Sequence, residues 1–268
     1  NLAPMQEYEE VEISVGDNIR GFTAELLTNS PEVVSVAVQS PTGERQPLIP
    51  ARQGTSEEYR FLLEGTTVSI SYSLGEFTRE GELIFLRFTN PSKGIWRLWV
   101  YPENYVSGRY HIWLPVTEFV QGDLFFLRSN PETTITGPAS AYAPISVGGF
   151  NAVDNSLYLD SGRGYNIDNQ VKPDFLAPAV EVFGPDLTGN FTRRTGTSAA
   201  AAVTAGAAAQ LLEWGVVRGN SSSMNNALIK NYLLVGTDKT PGRVYPNPEE
   251  GYGRLNVYKA FTNMRRTT

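Results

Sequence analysis

The tripeptide Gly196-Thr197-Ser198 places a serine hydroxyl directly before a segment made almost wholly of alanine and glycine. A serine hydroxyl becomes a nucleophile when a neighbouring base takes its proton, which is the chemistry of acyl transfer. The segment carries no charge from Ser198 to Gln210, so the sequence predicts a helix over residues 198–214 that is buried on all sides. The chain contains no cysteine, which excludes a thiol nucleophile and a disulfide.

The chain that must position this serine divides into two halves with different sequence patterns. Residues 1–127 read as short strands in which apolar residues alternate, separated by Gly, Pro and Asn turns. Predicted strands cover residues 11–15, 32–38, 67–72, 83–88, 95–101 and 110–114. This half therefore predicts an antiparallel, jelly-roll-like β-sandwich without a helix before residue 130.

The second half, residues 128–268, mixes strands with helices. Predicted strands cover residues 145–147 and 179–183, and predicted helices cover residues 198–214, 222–235 and 256–264. Strands that alternate with helices are typical of an α/β unit. The chain is therefore expected to hold two domains, with the serine in the second one.

Four segments of this second half resemble a known family in the same order along the chain. They are the strand region 134–149 ending in Val-Gly-Gly, the Lys-Pro-Asp-Phe-Leu-Ala-Pro-Ala-Val segment at 172–180, Gly-Thr-Ser at 196–198, and Gly-Tyr-Gly-Arg-Leu-Asn-Val at 251–257. Together they resemble the subtilisin-like serine proteases, the subtilases. The resemblance implies an α/β domain with a largely parallel sheet, of which this chain holds the C-terminal half.

The sandwich placed ahead of these segments resembles the jelly-roll inserted within the catalytic domain of the clostridial Csp germination proteases. That resemblance implies a role in germination, the activation of a cortex-lytic enzyme by limited proteolysis, and a spore-associated or extracellular location. The chain departs from the family pattern after the serine, where Ala199–Val203 lack the usual proline and histidine.

The resemblance also implies residue roles. Ser198 is the expected nucleophile, the Thr197 hydroxyl supports the oxyanion, and Thr136 with Gly137 forms part of the specificity-pocket wall. The family's catalytic Asp, His and oxyanion Asn are expected on a missing upstream segment, because the one histidine, His111, lies in a strand of the sandwich. We therefore expect the chain to be a serine endopeptidase only together with that N-terminal segment, and inactive alone. A pro-segment and a peptide or protein substrate are the other expected partners.

Composition excludes several other classes of function. The net charge of −6 and the pI of about 5.0, without a Lys/Arg run, argue against nucleic-acid binding. No apolar run approaches the length of a membrane span, and no acidic or histidine spacing indicates a metal or another cofactor. The alternative to the enzyme is a pseudoprotease scaffold or binding module, in which Ser198 is only a helix cap. The aromatic residues at 96–113 form either the sandwich core or a ligand platform, and Asp174 is expected to be structural.

Overall fold

The computed structural model describes residues 2, 7–75, 81–116 and 119–264. The chain divides into two compact units, Asn1–Ser129 and Asn130–Thr268. The described part of the first unit contains strands and no α-helix. The second unit contains the helices.

Two antiparallel sheets make up the first unit. Its strands are β1 (Glu9–Val15), β2 (Gly21–Asn29), β3 (Val33–Gln39), β4 (Ser56–Arg60), β5 (Thr67–Leu74), β6 (Gly81–Thr89), β7 (Gly94–Asn104), β8 (Tyr110–Trp113) and β9 (Leu124–Phe126). One sheet has the order β3-β7-β1-β9 and the other has the order β4-β5-β6-β2-β8.

Alternating burial explains why these segments form strands that share one core. In β6 the side chains of Ile84, Leu86 and Phe88 are buried, and the residues between them face outward. Trp96 of β7 is fully buried and its ring meets those of Phe61 and Phe88 edge to face. The inward side chains of both sheets form one hydrophobic cluster. The Trp96 position therefore belongs to the core rather than to a ligand platform.

The second unit contains the short strands and helices that surround the predicted nucleophile. Its strands are β10 (Val147–Phe150), β11 (Phe175–Pro178), β12 (Val182–Pro185) and β13 (Phe191–Arg194). Its helices are α1 (Thr197–Leu212), which continues as a π-helical turn (Glu213–Val217), α2 (Asn226–Val235) and α3 (Val257–Met264). The strand predicted at 179–183 is wrong, because β11 ends at Pro178 and a hairpin begins at Val182.

Helix α2 begins later than residue 222, where the sequence predicts its start. Its N-cap is Asn225, whose side chain accepts a hydrogen bond from the Leu228 amide at 3.1 Å. The earlier serines lie outside the helix, and Gly236 ends it as predicted. Leu233 of α2 and Ala260 of α3 pack with Leu211 in the core of this unit.

Parallel pairing in the described part of the second unit is limited in extent. Strands β10 and β11 form a two-stranded parallel sheet, and Leu176 of β11 makes an isolated parallel bridge with Arg254. Strands β12 and β13 form an antiparallel hairpin. Most strand pairs within the described ranges are therefore antiparallel.

Helix α1 is buried on one side, and the prediction that it is buried on all sides is wrong. Ala200, Thr204, Ala207 and Leu211 face the core at intervals of three and four residues. Residues on the opposite side are exposed, namely Ala201, Ala202, Ala205, Gly206 and Ala209. The absence of charge in this helix thus reflects an apolar face that no described residue covers.

Candidate active site

The turn that precedes α1 depends on Gly196. Its φ of 142° lies in a region that L side chains rarely adopt, so glycine is required on conformational grounds. The Gly196 amide donates a hydrogen bond of 2.8 Å to the carbonyl of Ala179, just after β11. The start of the helix is therefore fixed at the carboxyl end of a parallel strand, the usual location of functional groups in α/β folds.

Thr197 and Ser198 are the first two residues of α1. Ser198 is exposed, and within the described ranges its hydroxyl has no hydrogen-bond partner. The helix has no side-chain N-cap and no acidic residue in its first turn. Because uncapped amides and the helix dipole favour negative charge, this N-terminus can stabilise an anion that forms beside the Ser198 hydroxyl.

Small residues allow the strands and the helix to approach each other closely behind Ser198. Ala177, Ala179 and Ala200 form one buried cluster with Val147, Tyr158 and Leu255 packed against it. A Cβ atom on Gly149 would lie 2.6 Å from the Ala179 Cβ atom, which is closer than real contacts allow. Gly149 within β10, and Ala177 and Ala179 at the end of β11, are therefore packing requirements of this site.

The predicted pocket wall lies in an exposed loop before β10. Thr136 and Gly137 are both exposed, and the Thr136 carbonyl accepts a 3.2 Å hydrogen bond from the Ser140 amide. A Cβ atom on Gly137 would meet no atom within 4 Å, so this position borders open space. Among the described residues, no hydrogen bond joins this loop to Thr197 or Ser198.

Asp174 has the structural role that the sequence predicts. Its carboxylate accepts the Ser146 amide at 2.7 Å and lies 2.7 Å from Lys230 Nζ and 3.5 Å from Lys172 Nζ. Burial lowers the pKa of the Lys172 ammonium, and the neighbouring Asp174 carboxylate opposes that shift. The cluster therefore fixes the start of β10 to β11 and α2.

The hairpin that leads into α1 is a feature that the sequence reasoning missed. Phe183 and Phe191 are exposed and stack with ring centroids 5.1 Å apart. Asp186 closes the turn by accepting the amides of Thr188 and Asn190. The signal is the turn-forming run from Pro185 to Asn190, with Val182-Phe183 before it and Phe191 after it.

His111 lies in the first unit, not in the unit of Ser198. It belongs to β8, where it pairs with Leu27 of β2 and its ring stacks on Trp113 at 5.5 Å. Burial and then the nearby Arg109 charge lower its pKa. The packing of His111 is that of a structural residue.

Two properties of the described residues bear on metal binding and on membranes. No group of three or more His, Cys, Asp and Glu side chains could hold a metal ion. One helical segment, Thr197–Val217, is long and apolar enough to cross a membrane by length and composition, so the expectation that no apolar run has that length is wrong. Core helices of soluble proteins pass the same test, which makes this weak evidence for a membrane.

Comparison with known proteins links the part of the chain that contains Ser198 to one family. The family model described as Subtilase family matches residues 122–253. Membrane-bound transcription factor site-1 proteases of Mus musculus, Rattus norvegicus and Cricetulus griseus are each 30% identical over 135 residues, which is 48% of this chain and 12% of theirs.

A solved structure extends the similarity to both units. The CspB protease of Clostridium perfringens is 28% identical with a TM-score of 0.89, over 98% of this chain and 56% of that protein. This chain thus spans about half of CspB and a smaller part of the site-1 proteases. The predicted resemblance to the subtilisin-like serine proteases is confirmed: residues 122–253 match the subtilase family, and both units resemble the CspB protease.

Proposed function

We propose that this chain is the C-terminal part of a subtilisin-like serine endopeptidase, which hydrolyses peptide bonds of a peptide or protein substrate through an acyl-enzyme on Ser198. The observation that carries the proposal is the exposed Ser198 hydroxyl at the uncapped N-terminus of α1, within the family-matched region. In this role the hydroxyl oxygen attacks the scissile carbonyl. The Ser198 amide and the helix dipole then stabilise the oxyanion.

Two further roles, oxyanion support and a specificity-pocket wall, are proposed for residues near the start of α1 and in the loop before β10. Thr197 precedes Ser198 in the first turn, where its hydroxyl can add a hydrogen bond to the oxyanion. Thr136 and Gly137 border open space, which suits one wall of a specificity pocket. Residues 1–127 form the jelly-roll module in this proposal, and residues 128–268 form the C-terminal part of the catalytic domain.

The base that activates Ser198 must come from another segment. The chain has one histidine, and His111 is packed into β8 of the first unit. We assign the catalytic Asp, His and oxyanion Asn to an N-terminal subtilase segment, whose strands would extend the β10–β11 pair into a largely parallel sheet. The exposed apolar face of α1 supports this assignment, because such a face is normally covered. The chain alone is then inactive as a protease.

The similarity to CspB supports a biological role for the proposed protease. A Csp-type enzyme would act in germination by limited proteolysis of a cortex-lytic enzyme, in or around the spore. A pro-segment would be a second partner of the same active site. A pseudoprotease scaffold is the alternative function, and the absence of a second histidine from this chain is the observation that favours it.

The test compares peptidase activity of the isolated chain with that of the natively purified protein, with any co-purifying polypeptide retained. We expect activity only in the complete assembly, and loss of that activity in Ser198→Ala. Ser222→Ala is the matched control, because Ser222 is an exposed serine outside the helices. Activity of the isolated chain would contradict the proposal, and a folded, complete but inactive assembly would favour the scaffold.

A further inference from the structure

The turn from Thr136 to Ser140, which contains the proposed pocket wall, lies largely on the surface of the second unit. Thr136 and Gly137 are exposed, and a Cβ atom on Gly137 would meet no atom within 4 Å. The turn is closed by a hydrogen bond of 3.2 Å from the Ser140 amide to the Thr136 carbonyl. The position of the wall therefore depends on the residues that hold the loop before and after this turn.

Before the turn, Thr134 fixes the loop to the segment that precedes β11. Its amide donates to the Arg163 carbonyl at 2.9 Å, and its hydroxyl oxygen accepts the Arg163 amide, also at 2.9 Å. The same hydroxyl donates to the Pro131 carbonyl at 2.8 Å. Because Thr134 is exposed, these hydrogen bonds rather than burial define its position.

After the turn, Asn166 provides the second anchor. Its side chain is buried, and Nδ2 donates to the Ser140 carbonyl at 2.9 Å across 26 residues of chain. Since a buried polar group is costly to leave without its partner, this bond is one that the fold maintains. Ser140 is thus joined to Asn166 through its carbonyl and to Thr136 through its amide.

The remaining hydrogen bonds of Asn166 stay within its own turn. Its Oδ1 accepts the Gln170 amide at 2.7 Å, and Nδ2 also donates to Gln170 Oε1 at 3.1 Å. The Asn166 amide donates to the Gln170 carbonyl at 3.1 Å. Among the described residues, the bond to Ser140 is the one hydrogen bond that links this side chain to the loop.

We propose, on the basis of the function proposed above, that Asn166 is a positioning residue for substrate specificity. It acts through Ser140 to hold the wall at Thr136 and Gly137, and Thr134 holds the opposite end. A wall that is fixed at both ends discriminates between substrate side chains by their shape, whereas a wall released at one end accepts a wider range.

The variant Asn166→Asp separates the two contacts of this side chain. At pH 8 the carboxylate still accepts the Gln170 amide, so the local turn is retained, but it cannot donate to the Ser140 carbonyl. Asn169→Asp is the matched control, because Asn169 is exposed and the change in charge is the same. Thr134→Val is a second variant, which releases the other end of the wall at an exposed position without a change in charge.

The test assays the natively purified assembly on peptides that differ in the residue before the scissile bond. For the residue that the wild type prefers, we expect Asn166→Asp and Thr134→Val to lower kcat/KM about tenfold or more, chiefly by raising KM. The preference among the peptides should become flatter. Fluorophosphonate labelling of Ser198 should keep the wild-type rate, because the probe does not need the wall. Asn169→Asp should match the wild type in every measurement.

Two results would overturn the proposal. One is an unchanged preference in variants that label normally. The other is an equal loss on all peptides together with slower labelling, which would show that Asn166 serves only the fold. Circular dichroism and melting temperature verify folding, and the profile of Thr134→Val decides if Asn166→Asp does not fold. A wild-type assembly that neither cleaves nor labels is a separate result, which would refute the proposed function and the role of Asn166 with it.

Discussion

The amide of Gly196 donates a hydrogen bond to the carbonyl of Ala179, with a nitrogen–oxygen distance of 2.8 Å. This bond joins the end of β11 to the turn that begins α1, and so sets where the Ser198 hydroxyl lies. The relationship depends on a backbone conformation that only glycine adopts without strain.

Replacement of Gly196 by alanine should therefore cost about 1–3 kcal/mol in the free energy of unfolding. A Cβ atom would meet no close neighbour there, so the cost comes from the φ of 142° rather than from a clash. Gly206→Ala is the matched control, since Gly206 is an exposed interior residue of α1 with open space at its Cβ position. That control should gain about 0.5–1 kcal/mol. Urea unfolding measures both, and equal effects of the two changes would contradict this account.

Asp174→Asn should destabilise the second unit by about 3–5 kcal/mol. The change leaves the buried Lys172 ammonium without its neutralising carboxylate and removes the 2.7 Å ion pair with Lys230. Asp17→Asn, in the exposed Lys93–Asp17 pair, serves as control and should stay within about 0.5 kcal/mol of the wild type. A cost below about 1 kcal/mol for Asp174→Asn would show that the cluster does not hold this unit together.

The first unit should lose stability as the pH rises from about 4.5 to about 7. Glu82 is buried, and its Oε2 accepts the Val34 amide at 2.8 Å. Burial, opposed by that hydrogen bond and aided by the Glu103 charge, raises the pKa of Glu82 from 4.5 to about 7. Tyr72 is the other titratable group whose charge interacts with it.

The sign of the effect follows from proton binding. The folded unit holds this proton more tightly than the unfolded chain does, so the stability is greatest below about pH 4.5 and falls until about pH 7. The loss amounts to about 3 kcal/mol at most. Urea unfolding at pH 5 and pH 8, followed by tryptophan fluorescence, should show this loss in the wild type and not in Glu82→Gln. Parallel pH curves for the two proteins would contradict the prediction.

Ala205→Arg should leave the isolated chain folded with nearly unchanged stability, within about 0.5 kcal/mol. Ala205 is exposed on α1, and arginine is almost as good a helix former as alanine. In the complete protease the same change should prevent assembly with the N-terminal segment. The added charge would lie on the apolar face of α1 that this segment is proposed to cover. Gln210→Arg, at another exposed position of α1, is the control. Size-exclusion chromatography measures assembly, and normal assembly of Ala205→Arg would show that this face is not the covered one.

Several elements could be predicted from the sequence because consecutive residues already show the apolar alternation or the turn that defines the element. The alternation through Ile84, Leu86 and Phe88 predicts β6, and the turn at Gly196-Thr197 predicts the start of α1. Strand β4 was missed because Ser56–Arg60 is polar and mostly exposed, and its extended form depends on pairing with β5. Such pairing is set by residues distant in sequence and leaves little local signal.

The candidate site, too, could be predicted only in part from local sequence. Gly-Thr-Ser and the companion motifs identify the family and the predicted nucleophile, whereas the burial of α1 could not be read from its composition. An uncharged alanine helix is consistent with burial on all sides, but Ala201 and Ala205 are exposed in this chain. The hairpin with Phe183 and Phe191 was also missed, since Val182-Phe183 and the single apolar residue Phe191 are too short to show a strand period.

The most direct test of the central claim is covalent labelling of Ser198 by a fluorophosphonate probe, read by mass spectrometry of the labelled peptide. The account predicts labelling in the natively purified assembly that carries the N-terminal segment, no labelling in the isolated chain, and no labelling in Ser198→Ala. Labelling of the isolated chain at Ser198, or a folded and complete assembly that stays unlabelled, would contradict the claim that this serine is a nucleophile activated by a separate segment.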